Sequence, residues 1–312
     1  MRVLVTGAAG FVAPYVVEAL RSVCGPGLEL ILTARRAGDT IEPLDVTNRS
    51  AVNDIIARFR PTHVVHLAGI AAPSAAASAP DVAWHVHLQG TLNIAYAILT
   101  NAPNCWLINA GTGLIYGENA KASLPLNEAA LPAPLDEYGA TKAAADLALG
   151  ALSHRGLKCI RMRPFNHIGP GQSEHFVVPA LAAQVARIEA GLSEPVIRVG
   201  NLNAERDFLD VRDVATAYAL AVQKSDRITP GTILNIASGQ ARSISSVLDL
   251  LLSLSAAEIR VEQDPSRMRP NDLPHIVGDA RRVRELLGWS PKRPFEQTIF
   301  DILADCRKRL AR

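Results

Sequence analysis

Cysteine is scarce in this sequence, and its four residues, Cys24, Cys105, Cys159 and Cys306, stand far apart. Such spacing argues against a zinc knuckle or a disulfide framework and leaves isolated thiols suited to a reducing compartment. Excess charge is missing too: 32 Lys and Arg against 30 Asp and Glu leave a formal charge of +2. That surplus is too small to suggest a nucleic-acid surface, although a local arginine cluster can still bind an anionic small molecule. There is no internal repeat or low-complexity tract beyond an alanine-rich loop near 71–79, and no apolar run approaches membrane-spanning length. A soluble, cytoplasmic protein is expected.

What the chain has in quantity is apolar residues, 48% of its 312, enough for a sizeable core and too many for disorder. Through the first half, apolar runs of strand length alternate with amphipathic stretches of helix length. Strands are predicted at 2–6, 29–33, 62–67, 105–110 and 158–163, and helices at 11–23, 48–59, 81–99 and 136–154. Unbroken apolar strands between helices imply an α/β fold with a doubly wound parallel sheet, a Rossmann arrangement covered on both faces. After Arg163 the rhythm breaks at a loop-rich stretch holding Pro164, Gly169, Pro170 and Gly171. Helices are expected beyond it near 178–190, 211–223, 243–254, 280–287 and 295–310, with short strands near 196–199 and 206–209. The pattern predicts a dinucleotide-binding domain over 1–165 with elements returning to it near 207–237. A smaller, discontinuous substrate-binding lobe would come from 166–206 and 238–312.

Thr6-Gly7-Ala8-Ala9-Gly10-Phe11-Val12-Ala13 follows the first strand and opens the first helix. Gly7 suits a tight turn, Gly10 lets backbone approach a pyrophosphate, and Ala13 allows close packing of helix on strand. The helix N-terminus, with Phe11 and Val12, would offer N–H groups to the phosphates. At the end of the second strand stand Arg35 and Arg36, where an NAD site commonly carries an acid. They are either two solvated loop arginines or a fork of donors for a 2′-phosphate, which points to NADPH with NADH possible. Asp45 and Val46 are placed to meet the adenine, and Leu67-Ala68-Gly69 would flank the cofactor at the sheet edge.

Tyr138-Gly139-Ala140-Thr141-Lys142 sets a phenol and an amine one helical turn apart, on one face. A nearby ammonium favours the phenolate and would lower its pKa, so that tyrosine exchanges protons near neutrality. Thr112, after the fifth strand, would hydrogen-bond a substrate oxygen beside it. Together Thr112, Tyr138 and Lys142 form the catalytic candidate at the carboxyl edge of the sheet, with Tyr138 and Lys142 also touching the cofactor. His63, His66 and His85 lack carboxylate or cysteine partners at ligand spacing, and no metal is expected.

With these motifs in this order, and with Leu287-Gly288-Trp289-Ser290-Pro291 near the end, the chain resembles the extended short-chain dehydrogenase/reductases. These are nicotinamide-dependent epimerases, dehydratases and reductases of nucleotide sugars. The run from Arg163 through Gln172, with Phe176–Pro179 and Arg206–Asp213, looks most like reductases of GDP-4-keto-6-deoxy-D-mannose, which yield GDP-D-rhamnose. The resemblance implies Pro164 near the nicotinamide and Asn166 near the sugar diphosphate. It further implies Phe176, Val177, Val199, Asn201, Arg206 and Arg269 around the nucleotide, and a homodimer. Arg206 and Arg269 are either pyrophosphate clamps or partners of acids such as Asp207 and Asp272.

Two features depart from that pattern. Gly113-Leu114-Ile115 replaces the acids that usually follow the catalytic hydroxyl, which argues against dehydration. His87 stands where the family carries asparagine, as a packing or hydrogen-bonding substitute or a proton relay. The rival readings are a C-4 epimerase with tightly held NAD and a non-catalytic, nucleotide-sensing Rossmann protein.

Overall fold

Val3 and Val5 face one side of the first strand and Leu4 the other, and all three are completely buried. A strand that is apolar on both sides needs cover on both sides. In the computed structural model, which describes residues 1–38, 40–122, 125–268 and 273–311, it receives that cover. Strands β1 (Arg2–Thr6), β2 (Glu29–Ala34), β3 (Ile41–Pro43), β4 (His63–His66), β5 (Trp106–Ala110) and β6 (Lys158–Pro164) pair in parallel, and Thr232–Ile236 adds itself beside β6. Order reverses at β1, which lies between β4 and β2, and that reversal leaves a crevice at the carboxyl edge.

One face is covered by α1 (Ala13–Cys24), through Val16 and Leu20. The other carries α2 (Arg49–Phe59), through Val52, Ile55 and Ile56. Next come α3 (Pro73–Ser78) and α4 (Pro80–Trp84), then a π turn at His85–Gln89 that runs into α5 (Gly90–Asn101). The helix predicted at 81–99 is thus one rod broken by a widened turn. Helix α6 (Glu137–Ser153) follows and packs Leu149 and Leu152 beside Ile94 and Ile98. Asn48 and Asp136 cap α2 and α6 by accepting the N–H groups of Ala51 and Gly139 at 3.1 and 2.7 Å. Helix α1 starts two residues later than predicted, because Gly7 to Gly10 first close a turn, Gly10 N–H to Gly7 carbonyl 2.9 Å.

The smaller lobe holds β7 (Asn166–Ile168), α7 (Val177–Glu189), β8 (Val196–Val199) and β9 (Glu205–Asp210). Helix α8 (Val211–Gln223) then returns to pack on α1, and Thr232–Ile236 is β10. Beyond these lie β11 (Ala241–Ser243), α9 (Ile244–Ser253), β12 (Arg260–Gln263), β13 (His275–Ile276), α10 (Arg281–Leu287) and α11 (Phe295–Leu310). Strand β9 pairs with β7, β11 and β13, and β8 pairs with β12. Helices α7, α9 and α11 bury Val178, Leu181, Val247, Leu251, Ile299 and Leu303 in a separate core.

Two expected assignments shift. Of the stretch 207–237, β10 joins the main sheet and α8 packs on α1 in its core, while β9 stays in the lobe's own sheet. Helix α10, expected in the smaller lobe, puts Val283 and Leu287, with Trp289 just beyond it, into the main core, where it packs against β10 and α8. Among the described residues no helix is long and apolar enough to cross a membrane.

Candidate active site

Asp136 starts α6 at Glu137, which puts Tyr138 in its first turn and Lys142 one turn on. Behind them, Asp146 anchors the helix. Its carboxylate takes Arg163 Nη2 at 2.7 Å and Nε at 3.2 Å, with both residues almost fully buried, and Arg161 Nη1 at 3.1 Å. Arg163 also donates to Tyr116 Oη at 2.9 Å, whose own hydrogen goes to Asn235 Oδ1 at 2.7 Å. The network locks α6 to β6 and β10. Motif reading passed over Asp146, though an acid four residues beyond Lys142 on an apolar helix face, and arginines inside an apolar strand, were the available signal.

Thr112 lies just past β5, buried, with Leu114 N–H on its Oγ1 at 3.2 Å, and it hydrogen-bonds the Tyr138 phenol. Lys142 Nζ donates to the carbonyl of Ala110, the last residue of β5, at 2.8 Å. A Cβ on Gly69, past β4, would come within 3.3 Å of that Nζ. Thr112, Tyr138, Lys142 and Gly69 therefore meet at the carboxyl edge of β4 and β5. The phenol does not shift as the sequence suggests. Burial pushes it up to about 12, the Thr112 hydrogen bond opposes this and Asp136 adds to it. Lys142 is turned onto Ala110, and burial lowers its own pKa to about 8.

Across the edge, Gly7 has φ +70°, and a Cβ there would lie 2.7 Å from the Ala68 nitrogen. The first turn therefore nests against Leu67-Ala68, and Thr6 Oγ1 clasps the pair, accepting from Ala68 N–H at 3.2 Å and meeting His66 Nδ1 at 2.7 Å. Helix α1 opens after Gly10, Phe11 and Val12 with no side-chain cap and no acid in its first turn. A cradle that excludes even a methyl group, in front of an uncapped positive helix end, fits the pyrophosphate of a dinucleotide. Arg35 and Arg36 are exposed just past β2. Asp45, also exposed, is held below the usual carboxylate range by hydrogen bonds from Thr47, and Arg35 contributes to that lowering. Val46 turns its side chain into the core against Gly90, so only its backbone is left for an adenine.

Pro164 is buried at the end of β6, and Asn166 opens β7 half-buried. Phe176 and the exposed Val177 begin α7. Val199, expected to line a pocket, is instead packed in the smaller lobe's core, since β8 faces α7 there. Asn201 is half-buried, and Arg206 Nη1 donates to the carbonyls of Glu205 and Leu273 at 2.8 and 2.7 Å. Arg269 lies outside the described residues. Of the histidines, His63 meets Ser225 Oγ at 2.9 Å and His85 meets the Asp81 carbonyl at 2.8 Å. Among the described residues, no three metal-ligating side chains stand together.

A parallel sheet whose first turn fits a phosphate, with Thr, Tyr and Lys converging across its edge, is the arrangement of an NAD(P)-dependent oxidoreductase-type enzyme. The chain belongs to the NAD dependent epimerase/dehydratase family, whose pattern matches residues 3–237, and is an enzyme of the NAD(P)-dependent oxidoreductase type. It is similar to GDP-6-deoxy-D-mannose reductase of Pseudomonas aeruginosa, 33% identical over 99% of this chain and 98% of the relative. Among solved structures, RMD from Pseudomonas aeruginosa complexed with NADPH superposes with a TM-score of 0.87 at 30% identity, covering 99% of each chain. The UDP-glucose 4-epimerase of Thermus thermophilus, in complex with NAD, gives 0.85 at 29% identity over 98% of this chain and 99% of that one.

Proposed function

We propose that this enzyme uses NADPH to reduce the C-4 ketone of a nucleotide-diphosphate 4-keto-6-deoxyhexose, GDP-4-keto-6-deoxy-D-mannose being converted to GDP-D-rhamnose. The observation that carries this reading is the convergence of Thr112, Tyr138 and Lys142 on the carboxyl edge of the sheet, beside the turn at Gly7. Tyr138 is a neutral phenol at neutral pH and so has a proton to give to an oxygen that gains charge as hydride arrives. The likeness to a GDP-6-deoxy-D-mannose reductase supports the substrate, and Arg35 with Arg36 supports the phosphorylated cofactor.

In this reading the N–H groups of Phe11 and Val12 at the start of α1 would hold the pyrophosphate, with Gly7 and Gly10 shaping the turn, and Asp45 with the Val46 backbone the adenine. Leu67, Ala68, Gly69 and Pro164 would flank the nicotinamide, and Lys142 its ribose. When bound, the reduced nicotinamide supplies the hydride for the C-4 carbon. Thr112 orients the ketone oxygen, and Tyr138 delivers its proton to that oxygen as the alcohol forms. Lys142, an ammonium below about pH 8, offers its charge to the phenolate left behind. Asn166, Phe176, Val177, Asn201, Arg206 and Arg269 would hold the nucleotide sugar. We also infer a homodimer, supported by Val82, Trp84, Tyr96 and Leu147, large apolar side chains left exposed on α4, α5 and α6.

The test is absorbance at the reduced-nicotinamide band with NADPH and GDP-, UDP- and dTDP-4-keto-6-deoxyhexoses in turn. Oxidation with the GDP sugar is expected. Protein that purifies with stoichiometric NAD and interconverts C-4 epimers without added cofactor would instead be an epimerase.

A further inference from the structure

His87 sits in the π turn between α4 and α5, 1% exposed. Widened helical turns recur at functional sites because they displace one residue from the regular ladder. Here the displaced ring reaches two elements at once. Its Nδ1 lies 2.8 Å from Thr141 Oγ1, on the residue before Lys142. Its Nε2 lies 3.0 Å from the backbone nitrogen and 3.1 Å from the carbonyl oxygen of Ile70, the residue after Leu67-Ala68-Gly69.

Either neutral tautomer bonds both sides. With its hydrogen on Nδ1 the ring donates to Thr141 Oγ1, whose own hydrogen goes to the Tyr138 carbonyl at 3.0 Å, and Nε2 accepts the Ile70 N–H. With the hydrogen on Nε2 the ring donates to the Ile70 carbonyl and Nδ1 accepts the Thr141 hydroxyl. A neutral ring satisfies both bonds, and burial with the Lys142 charge nearby holds its pKa down at about 3. The ring also stands edge-on to that of Tyr138, centroids 5.6 Å apart and planes at 87°. An asparagine side chain has its amide at the distance of Nδ1 and stops short of Ile70, so only the longer imidazole joins both sides.

We propose that His87 is a positioning residue, a strut that sets the gap between the loop Leu67–Ile70 and the helical turn carrying Tyr138 and Lys142, and thereby how tightly the nicotinamide end of a dinucleotide is gripped. The proposal rests on the reading of this crevice as a dinucleotide site, and it removes His87 from the list of proton relays.

The experiment is fluorescence titration of the full-length chain with NADPH, without sugar, on the parent and on H87F, H87N, H87Q and T141V, with Tm measured in parallel. H87F leaves the Ile70 backbone without its imidazole partner and is expected to weaken NADPH about tenfold, with T141V about threefold. H87Q, whose amide reaches the Nε2 position with both a donor and an acceptor, is expected to recover to within about threefold of the parent, while H87N stays with H87F. T141V keeps the Ile70 bond and nearly the same volume, so it reports even where H87F folds poorly. A merely structural His87 would lower Tm and leave the dissociation constants of the folded variants unmoved, and that result overturns the proposal. Recovery by H87N without H87Q overturns the strut geometry. A parent that binds neither NADPH nor NADH defeats the reading of the crevice itself, and the strut with it.

Discussion

Tyr138 shows how far residue identity goes and where it stops. The spacing of Tyr138 and Lys142 was legible because one helical turn is a local rule, and Thr112 was legible from its place after an apolar strand. The direction of the phenol's shift was not, because it depends on where Lys142 turns once the chain is folded. That amine donates to Ala110, and the phenol is left with Thr112 and burial, which raise rather than lower its pKa on balance. Tyr138→Phe removes the proton and little volume. Turnover should fall by about 10²- to 10⁴-fold while NADPH binding, followed by fluorescence titration, stays unchanged. Retained turnover would remove Tyr138 from the proton-donor role. For Arg35 and Arg36 the double change to serine should raise the KM for NADPH about tenfold or more and leave that for NADH nearly constant, since only the former carries a 2′-phosphate to lose. Equal effects on both cofactors would mark the two arginines as solvated loop residues.

At the scale of elements, strands β1, β2, β4, β5 and β6 and the helices that cover them could be anticipated because each buries an apolar run or face, whereas β3 and β10 at the two edges of the main sheet were not placed. The strands β7, β11 and β13 could not be, since they are two or three residues long and pair with β9 from far along the chain. Nothing in a three-residue run carries a period. The π turn at His85–Gln89 was hidden for a related reason: it adds no residue type of its own and shows only in the backbone. Asp146 belongs to no motif and was passed over, though it fixes α6 against β6. Asp146→Ala leaves Arg163 as a buried charge without its carboxylate, and should cost about 3–5 kcal/mol of stability. Urea unfolding would measure it. A loss under about 1 kcal/mol would mean that α6 is held by its apolar face alone.

At the scale of the whole molecule, the fold buries the rings of His63, His66 and His87 and sets their pKa values. Burial lowers His63 to about 4 and His66 and His87 to about 3, against an ordinary value of 6.5. As pH falls below 6.5 the unfolded chain takes up protons that the folded chain refuses, so stability falls with pH until those lower values are reached. Between pH 6.5 and about 5, above the carboxylate range, Tm should already decline; a flat profile there would show that the rings are open to water. If two copies pair through the exposed side chains of α4, α5 and α6, light scattering should report twice the 33.4 kDa of one chain, and Trp84→Glu with Leu147→Glu should return it to one. Lastly, β10 lies against β6 although the whole of α7, β8, β9 and α8 is threaded between them. During synthesis the ribosome must emit residue 236 before the backbone of β6 finds its second neighbour, so the module cannot mature piecemeal. A gene cut after codon 165 would yield not a free-standing cofactor carrier but a fragment with a raw edge, prone to stick to its own kind.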